Sequence, residues 1–278
     1  MSAPSVRQGR DWPDPTGVLG VPDMAWIKPQ FNSQRVNEAS RVLLNPEASA
    51  EEHDAAISII NNWRSCHSFP LNSFQVVLRR RAGSLETRPL IARRLKRLPA
   101  IEAKLRRFPV MKLSAMQDIG GCRAVVKRVK TIFDLVNLYK TSQTSKQIYV
   151  REKDYINNPK DDGYRSYHLI YRYHSDAKGQ RAWNDRLIEV QIRSRLQHAW
   201  ATTVETVDFF TGQALKSSVG QQQWKRFSHL MGGALALLEG TVPVAGTPPE
   251  PKDLIDELRE SARELRVVRT LTESCIIQ

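Results

Sequence analysis

The chain reads Leu-Ile-Glu-Val-Gln-Ile-Arg at residues 187–193, and the alternation of apolar and polar side chains in this stretch predicts a β-strand. In an extended backbone the apolar residues point to one face, whereas Glu189, Gln191 and Arg193 point to the other. Two charged groups and an amide are costly inside a sheet unless they line a site or meet solvent. The stretch therefore predicts a sheet with one covered apolar face and one polar face.

Four further runs in the middle of the chain have the composition of short strands. They cover residues 90–94, 122–127, 148–151 and 166–173. A helix with apolar residues at helical spacing separates the second run from the third, and helical patterns also precede the sheet and follow it. We therefore expect an α+β fold, in which a mixed sheet of about five strands is flanked by helices.

Composition changes along the chain predict three regions. Residues 1–71 form an N-terminal arm followed by helices, and residues 72–210 form the domain that contains the sheet. Residues 211–278 form a C-terminal helical extension, with a proline-rich linker at 240–251 and a last amphipathic helix at 252–271. This last helix either packs on the core or serves as a docking or oligomerisation element.

The charge of the chain favours a polyanionic partner. Its 278 residues carry 42 Lys and Arg against 29 Asp and Glu, a formal net charge of +13. Such an excess attracts nucleotides, RNA, DNA or an acidic membrane surface. No apolar run approaches the roughly 20 residues of a membrane span, and the three cysteines lack metal-ligand spacing. We expect a soluble cytoplasmic protein with reduced thiols and no membrane partner.

Several polar clusters have residue types suited to phosphate chemistry. Asp118 precedes a predicted strand, and together with Glu189 it forms a carboxylate pair that is able to hold Mg²⁺ between phosphate oxygens. Cations at 93–97 and 104–107 are able to grip a polyphosphate, although such runs are often only solvated surface. A turn-rich loop at 153–168 presents cations together with Tyr and His side chains.

These clusters resemble the motifs of the RelA/SpoT synthetase domain, in the same order. The motifs are Asp-Ile-Gly-Gly-Cys-Arg at 118–123, Lys-Asp-Tyr-Ile-Asn-Asn-Pro-Lys at 153–160, Gly-Tyr-Arg-Ser-Tyr-His at 163–168 and Glu-Val-Gln-Ile-Arg at 189–193. The resemblance covers about residues 72–210 and is greatest to the small, single-domain branch. It implies a nucleotidyltransferase-like sheet and transfer of the β,γ-pyrophosphate of ATP to the 3′-hydroxyl of GDP or GTP, which makes a (p)ppGpp-type alarmone.

The resemblance also implies a role for each matching position. ATP would be bound by Arg94, Lys96, Lys104 and Arg123, and Mg²⁺ by the catalytic residues Asp118 and Glu189. The acceptor would be bound by Lys153, Lys160, Tyr164, Arg165, His168, Gln191, Arg193 and His198. Tyr164 would stack on the acceptor base, so we expect its ring to matter and its hydroxyl to be dispensable.

Two departures from the family pattern leave the acceptor open. Ala100 stands where the family has a serine, and Asp162 replaces an asparagine, which adds negative charge beside the acceptor. In toxin-like relatives the acceptor is the 3′ end of tRNA or an adenosine nucleotide, and an antitoxin partner or a homo-oligomer would fit that branch. A tRNA would need cations outside the motifs, for which the candidates are Arg79, Arg80, Arg81, Arg106 and Arg107. An inactive domain that binds RNA or a protein partner is a third possibility.

Overall fold

The computed structural model describes residues 26–141, 146–211 and 218–267, without the side chains of 206–221. Its helices are α1 (Ser33–Leu44), α2 (Ala50–Ser65), α3 (Ser68–Leu85), α4 (Leu98–Arg107), α5 (Val129–Thr141), α6 (Arg195–Thr211), α7 (Ser218–Glu239) and α8 (Pro251–Glu264). Its strands are β1 (Leu90–Leu95), β2 (Gly120–Val126), β3 (Gln147–Asp154), β4 (Tyr167–Tyr173) and β5 (Leu187–Ser194).

The five strands form one mixed sheet in the order β1-β2-β5-β4-β3. The central pair, β2 and β5, is parallel, and every other neighbouring pair is antiparallel. The expected α+β fold with a five-stranded mixed sheet flanked by helices is therefore confirmed. The strand expected at 148–151 is longer in the structure, where β3 spans Gln147–Asp154. Polar residues at its exposed end hide this length in the sequence pattern.

One face of the sheet is covered by α3 and α5. Alternate strand residues such as Ala124, Leu169 and Val190 are buried there against Phe74 of α3 and Leu135 of α5. Burying each large side chain of this kind contributes about 1.5–3 kcal/mol. The opposite face carries the polar residues of the same strands, as the alternation at 187–193 predicts.

A second apolar core joins the N-terminal helices to the sheet domain. Side chains of α1 and α2, among them Val36, Ile60 and Trp63, pack with Ile101 of α4 and with Ile119 just before β2. Ser49 begins α2 with a capping box, in which its side chain accepts from the Glu52 amide and the Glu52 carboxylate accepts from the Ser49 amide. The expected boundary between residues 71 and 72 falls inside α3, whose residues belong to the core of the sheet.

The C-terminal extension packs as a helical pair. Helix α8 lies against α7, where Arg226 forms an ion pair with Glu257 at 2.6 Å. The sequence predicts a helix over 252–271, but α8 ends at Glu264 and Arg266 has a positive φ of 49°, which breaks the helix. Residues 1–25 of the expected arm and residues 268–271 of the expected helix lie outside the described residues. Within the described part of the chain, no helix is long and apolar enough to cross a membrane.

Candidate active site

A row of polar side chains crosses the uncovered face of the sheet. The register places Arg123 of β2 beside Gln191 of β5, Gln191 beside His168 of β4, and His168 beside Lys153 of β3. Nε of Arg123 donates to Oε1 of Gln191 at 3.1 Å. Four residues expected at the substrate from separate motifs therefore lie side by side on adjacent strands.

Glu189 lies next to this row, and two side chains contact its carboxylate. Its side chain is 7% exposed, His168 Nδ1 lies 2.8 Å from Oε1, and Gln191 Nε2 donates to Oε2 at 2.7 Å. Burial acts to raise the pKa of Glu189, but the contacts with His168 and Gln191 outweigh it and hold the pKa below its ordinary value. Glu189 is therefore a buried carboxylate that stays ionised.

Asp118 precedes β2 and is fixed by two cations instead. Lys104 Nζ donates to Oδ1 at 2.7 Å, and Lys96 Nζ donates to Oδ2 at 3.1 Å. Burial acts to raise the pKa of Asp118, and the two ammonium groups lower it below its ordinary value. The backbone supports this cluster, because the amide of Lys96 donates to the carbonyl of Ile119 at 2.8 Å.

A cleft of about 580 Å³ opens over the two carboxylates. Its charged and polar lining includes Lys96, Lys104, Asp118, Lys153, Lys160 and Glu189. A smaller cavity of about 60 Å³, which the same two carboxylates also border, is lined by Arg94, Arg123 and Gln191. Every residue expected to bind ATP therefore borders a cavity that Asp118 and Glu189 also border.

Tyr164 faces a second cavity, of about 520 Å³, between the acceptor loop (residues 155–166) and the helices α6 and α7. Its hydroxyl accepts a hydrogen bond from Nη2 of Arg193 at 2.6 Å and lies 2.9 Å from Nε2 of His168. The Lys160 ammonium lies 5.0 Å from the centroid of the Tyr164 ring. Burial raises the pKa of the Tyr164 hydroxyl, so the hydroxyl keeps its proton at neutral pH.

Arg165 lines the same cavity as Tyr164, but most of its guanidinium is bound within the protein. The residue is 2% exposed, and its guanidinium donates to the carbonyls of Gly232, Ile156 and Val242 and to the hydroxyl of Thr241. Four of its five N–H groups are thereby used inside the protein. Arg165 thereby fastens the acceptor loop to α7 and to the segment after it, and its contact with an acceptor stays a prediction.

Two residues expected to line the acceptor site, His198 and Arg193, are half-buried and buried, respectively. His198 is half-buried on α6, and burial, followed by the charges of Arg123 and Arg193, lowers the pKa of its imidazole. Arg193 is 2% exposed, and its Nε and Nη1 have no hydrogen-bond partner among the residues that the structure describes. Within the same described residues, the one hydrogen-bond partner of its guanidinium is the hydroxyl of Tyr164.

Arg81 was wrongly counted among the surface cations. It is 7% exposed, and its guanidinium carbon lies 4.1 Å from the centroid of the Tyr139 ring. Helix α3 also covers the apolar face of the sheet, away from the carboxylates. Sequence alone did not separate Arg81 from its exposed neighbours because the aromatic partner is 58 residues away, on α5.

Sequence analysis missed several residues of the two cavities. Arg107, at the end of α4, lines both the basic cleft and the Tyr164 cavity. Trp200 of α6 and Trp224 and Phe227 of α7 form the aromatic wall of the Tyr164 cavity. The aromatic spacing on α6 and α7 was visible, but aromatic residues at helical spacing are usually core, so nothing distinguished them.

Comparison with known families agrees with this geometry. Residues 93–208, which contain the sheet and both carboxylates, match the model of a family described as "Region found in RelA / SpoT proteins". We refer to residues 93–208 as the RelA/SpoT region. It begins within β1 and ends within α6, so α1 to α3 and the helices α7 and α8 lie outside the match.

Two curated relatives are similar to part of the chain. The chain is 31% identical over 121 residues to the GTP pyrophosphokinase YjbM of Bacillus subtilis (strain 168), which covers 42% of this chain and 54% of that protein. It is 32% identical over 87 residues to the GTP pyrophosphokinase YwaC of the same organism, covering 31% of this chain and 40% of that one. The chain thus spans about half the length, or less, of the curated relatives it matches.

Solved structures show the same fold around the RelA/SpoT region. The small alarmone synthetase 1 from Bacillus subtilis superposes with a TM-score of 0.53 at 22% identity, over 73% of this chain and 97% of that one. The same synthetase bound to its product pppGpp gives a TM-score of 0.53 at 23% identity, over 65% of this chain and 92% of that one. These superpositions show a shared fold for the sheet and its covering helices.

Proposed function

We propose that the chain is a pyrophosphotransferase that moves the β,γ-pyrophosphate of ATP to the 3′-hydroxyl of GDP or GTP and so makes a (p)ppGpp-type alarmone. The observation that carries this proposal is the pair of ionised carboxylates, Asp118 and Glu189, in one basic cleft. Cations line both cavities that the carboxylates border, which suits a triphosphate. The relatives named GTP pyrophosphokinase support the choice of a guanosine acceptor.

The donor side of the site is the basic cleft. Lys96 and Lys104 neutralise Asp118 in the free protein, and their ammonium groups would turn to the phosphates once ATP is bound. Arg94 and Arg123 border the smaller cavity and would hold the rest of the nucleotide. Phosphoryl transfer depends mainly on positioning and on charge stabilisation, and these four cations are placed to provide both.

Asp118 and Glu189 fit Mg²⁺ as ligands. They line the same cleft, carboxylate oxygens are preferred Mg²⁺ ligands, and Mg²⁺ is usually held by one or two carboxylates plus substrate phosphates. Among the described residues, no group of three or more His, Cys, Asp or Glu side chains forms a metal cage, which suits an ion that arrives with its nucleotide. When bound, Mg²⁺ would supply positive charge to the phosphate oxygens during transfer.

The acceptor side is the aromatic cavity beside Tyr164. A guanosine base placed between the rings of that cavity would direct its ribose towards the row of polar side chains on the sheet. The 3′-oxygen would then attack the β-phosphorus of ATP, the bond from that phosphorus to the α-phosphate oxygen would break, and AMP would leave. Glu189 would receive the proton of the hydroxyl, because it is ionised and fixed in place.

The alternative acceptors have less support. Of the five arginines expected to bind a tRNA, Arg81 is buried on Tyr139, and Arg79 and Arg80 lie on α3, which covers the opposite face of the sheet. Arg106 is paired with Glu102, and Arg107 lines the two cavities that we assign to the nucleotides. An inactive binding domain would not need two ionised carboxylates buried in a basic cleft. A guanosine nucleotide is therefore the acceptor that we propose.

Labelled substrate tests the proposal directly. The protein is incubated with γ-labelled ATP and Mg²⁺, and GDP, GTP, an adenosine nucleotide or deacylated tRNA is offered as acceptor. We expect one AMP for each labelled GDP or GTP, and no labelled product from the variant Asp118→Asn. Label on tRNA or on the adenosine nucleotide alone would replace the proposed acceptor, and label on none of them would refute the activity.

A further inference from the structure

Helix α7 ends at the corner where β5 passes into α6. Glu239, its last residue, accepts a hydrogen bond from the Ser194 hydroxyl at Oε1 and another from Nε2 of Gln197 at Oε2, the latter at 2.8 Å. Ser194 and Gln197 are both buried. Water therefore has little access to these donors, and loss of Glu239 would remove the acceptor that both of them use.

Ser194 and Gln197 form a capping box at the start of α6. The Ser194 side-chain oxygen accepts from the Gln197 amide at 3.0 Å, and Oε1 of Gln197 accepts from the Ser194 amide at 3.3 Å. Such a box uses the acceptors of the two side chains and leaves their own hydrogens free. Glu239 binds both of these remaining donors, so one carboxylate from α7 locks the box in place.

The helix that begins at this box forms one wall of the Tyr164 cavity. Gln197, Trp200, Ala201 and Val204 line the cavity, at the spacing of one helical face. The Trp200 ring packs edge-on against the ring of Phe227 on α7, at a centroid distance of 5.7 Å. The direction in which α6 leaves β5 therefore sets where this wall stands.

A second wall of the cavity is the acceptor loop, which the same end of α7 also holds. Nε of Arg165 donates to the carbonyl of Gly232 at 3.0 Å, and its Nη1 donates to the Thr241 hydroxyl at 2.8 Å. Burial lowers the pKa of Arg165, and the charge of Glu239 acts against that effect. Glu239 lies between Gly232 and Thr241 in the chain, so the end of α7 connects the two walls of the cavity.

We propose that Glu239 is a positioning residue for the acceptor: it locks the capping box of α6 and so sets the distance between the α6 wall and the loop that carries Tyr164. This inference rests on the proposed function, which places the acceptor base in that cavity. Glu239 is not among the described residues that line the cavity, so it acts on the acceptor only through α6. It also lies outside the RelA/SpoT region.

The kinetic test compares Glu239→Ala with Glu257→Ala. Glu257 forms the ion pair between α8 and Arg226 of α7, so its removal loosens the helical pair without touching the capping box. We expect Glu239→Ala to raise the KM for GDP roughly 10-fold, with kcat and the KM for ATP within about twofold of wild type, because only a wall of the acceptor cavity moves. Glu257→Ala should keep all three constants. A fall in kcat at an unchanged KM for GDP, or an equal rise of this KM in both variants, would overturn the proposal.

The conservative variant Glu239→Gln shows whether the two contacts are what matters. Its amide oxygen can accept from Gln197 and its amide nitrogen can donate to the Ser194 oxygen, so both contacts reform. We therefore expect its KM for GDP to stay within about threefold of wild type. A Glu239→Gln protein as impaired as Glu239→Ala would contradict the positioning role.

Amide hydrogen exchange of the full chain provides a test that needs no activity. The amides of Ser194 and Gln197 are the backbone donors of the capping box, and we expect both to exchange faster in Glu239→Ala and at wild-type rates in Glu257→Ala. Unchanged exchange in Glu239→Ala would refute the lock. If Glu239→Ala failed to fold, Glu239→Asp would take its place in both measurements, because its side chain is one methylene too short to reach the two donors. Because exchange is measured without nucleotide, it separates failure of the positioning role from failure of the proposed reaction.

Discussion

Asp118 and Glu189 are carboxylates of the same cleft that are held by different partners. Two ammonium groups pair with Asp118, whereas an imidazole and an amide hold Glu189. Removal of the charge of Asp118 therefore leaves two lysines unpaired, while removal of the charge of Glu189 changes its contacts with His168 and Gln191. Because both pKa values lie below their ordinary values, both groups are ionised throughout the neutral range.

Replacement of either carboxylate by its amide should abolish transfer. We expect Asp118→Asn and Glu189→Gln each to lose at least about 100-fold in kcat/KM, because several kcal/mol of charge stabilisation or base catalysis are removed. Thermal unfolding measured alongside should show a folded protein. Retention of more than about a tenth of wild-type turnover by both variants would contradict these roles.

Arg107 and Arg106 form a matched pair of neighbours for a second test. Arg107 lines both cavities, whereas Arg106 is exposed and bound to its own helix through Glu102, at 2.8 Å. We expect Arg107→Ala to lower kcat/KM about 10-fold or more, because a cation between donor and acceptor stabilises the transferring phosphates. Arg106→Ala should stay within about twofold, since an exposed ion pair contributes little. If the two changes had equal effects on kcat/KM, Arg107 would not be part of the site.

The sequence predicted residue types at the site better than it predicted their contacts. Asp118, Glu189, Lys96 and Lys104 lie in one cleft as their motifs indicated. The packing of Arg165 could not be predicted from the sequence, because its partners on α7 and after it are 67 to 77 residues away along the chain. A motif states which side chain is needed, but not which of its neighbours it meets.

At the scale of elements, the acceptor loop and α7 meet backbone to backbone. Gly163 has a φ of 76°, and a Cβ atom added there would overlap the carbonyl oxygen of Ser228. A Cβ atom on Gly232 would overlap Gly163 in turn. His229 strengthens the same junction, because its Nδ1 lies 2.8 Å from the carbonyl oxygen of Asp161. Helix α7, outside the RelA/SpoT region, therefore supports the loop that carries Tyr164.

Gly163→Ala should separate this loop from α7. We expect a loss of about 1–3 kcal/mol in the free energy of unfolding and a higher acceptor KM, because both the positive φ and the backbone contact are lost. Urea denaturation and steady-state kinetics measure the two effects. The control is Gly179→Ala, where an added Cβ meets no atom within 4 Å. A Gly163→Ala protein that matched this control would show that the junction is unimportant.

Elements with a simple period were predictable, and long-range junctions between elements were not. The strands around Glu189 and Tyr171 alternate clearly, and the structure forms them where expected. The junction between the acceptor loop and α7 leaves no periodic pattern in the sequence. It depends on close contact between two glycines, Gly163 and Gly232, which are 69 positions apart. The sequence analysis therefore placed α7 as a helix but gave it no connection to the site.

At the scale of the whole molecule, His67 joins the N-terminal helices to the sheet. It is 1% exposed, its Nδ1 lies 2.8 Å from the carbonyl oxygen of Trp63, and it lies beneath Gly120 of β2. Burial lowers the pKa of His67 to about 3, despite the opposing hydrogen bond to Trp63. The folded protein therefore keeps this imidazole neutral, whereas the unfolded chain protonates it near its ordinary value of 6.5.

Stability should therefore fall as the solution is acidified. The contribution of His67 is fully present above pH 6.5 and is lost progressively as the pH falls from 6.5 towards 3, because only the unfolded chain binds the proton. By this linkage, about 2 kcal/mol is lost on going from pH 7 to pH 5. Urea denaturation at the two pH values measures the loss, and His67→Asn should show a smaller one. If the wild type and His67→Asn lost the same stability between the two pH values, His67 would not be the cause of the loss.

The position of β5 in the middle of the sheet has a consequence for synthesis on the ribosome. This strand is the last of the five to be translated, yet it forms the centre of the sheet and carries Glu189. A nascent chain that ends before residue 187 has two separate antiparallel pairs, β1 with β2 and β3 with β4, and nothing between them. Glu239 then binds Ser194 and Gln197 just after β5. The proposed catalytic centre would therefore be complete only when the carboxyl-terminal third of the polypeptide has emerged, and we expect an incomplete translation product to have no transferase activity.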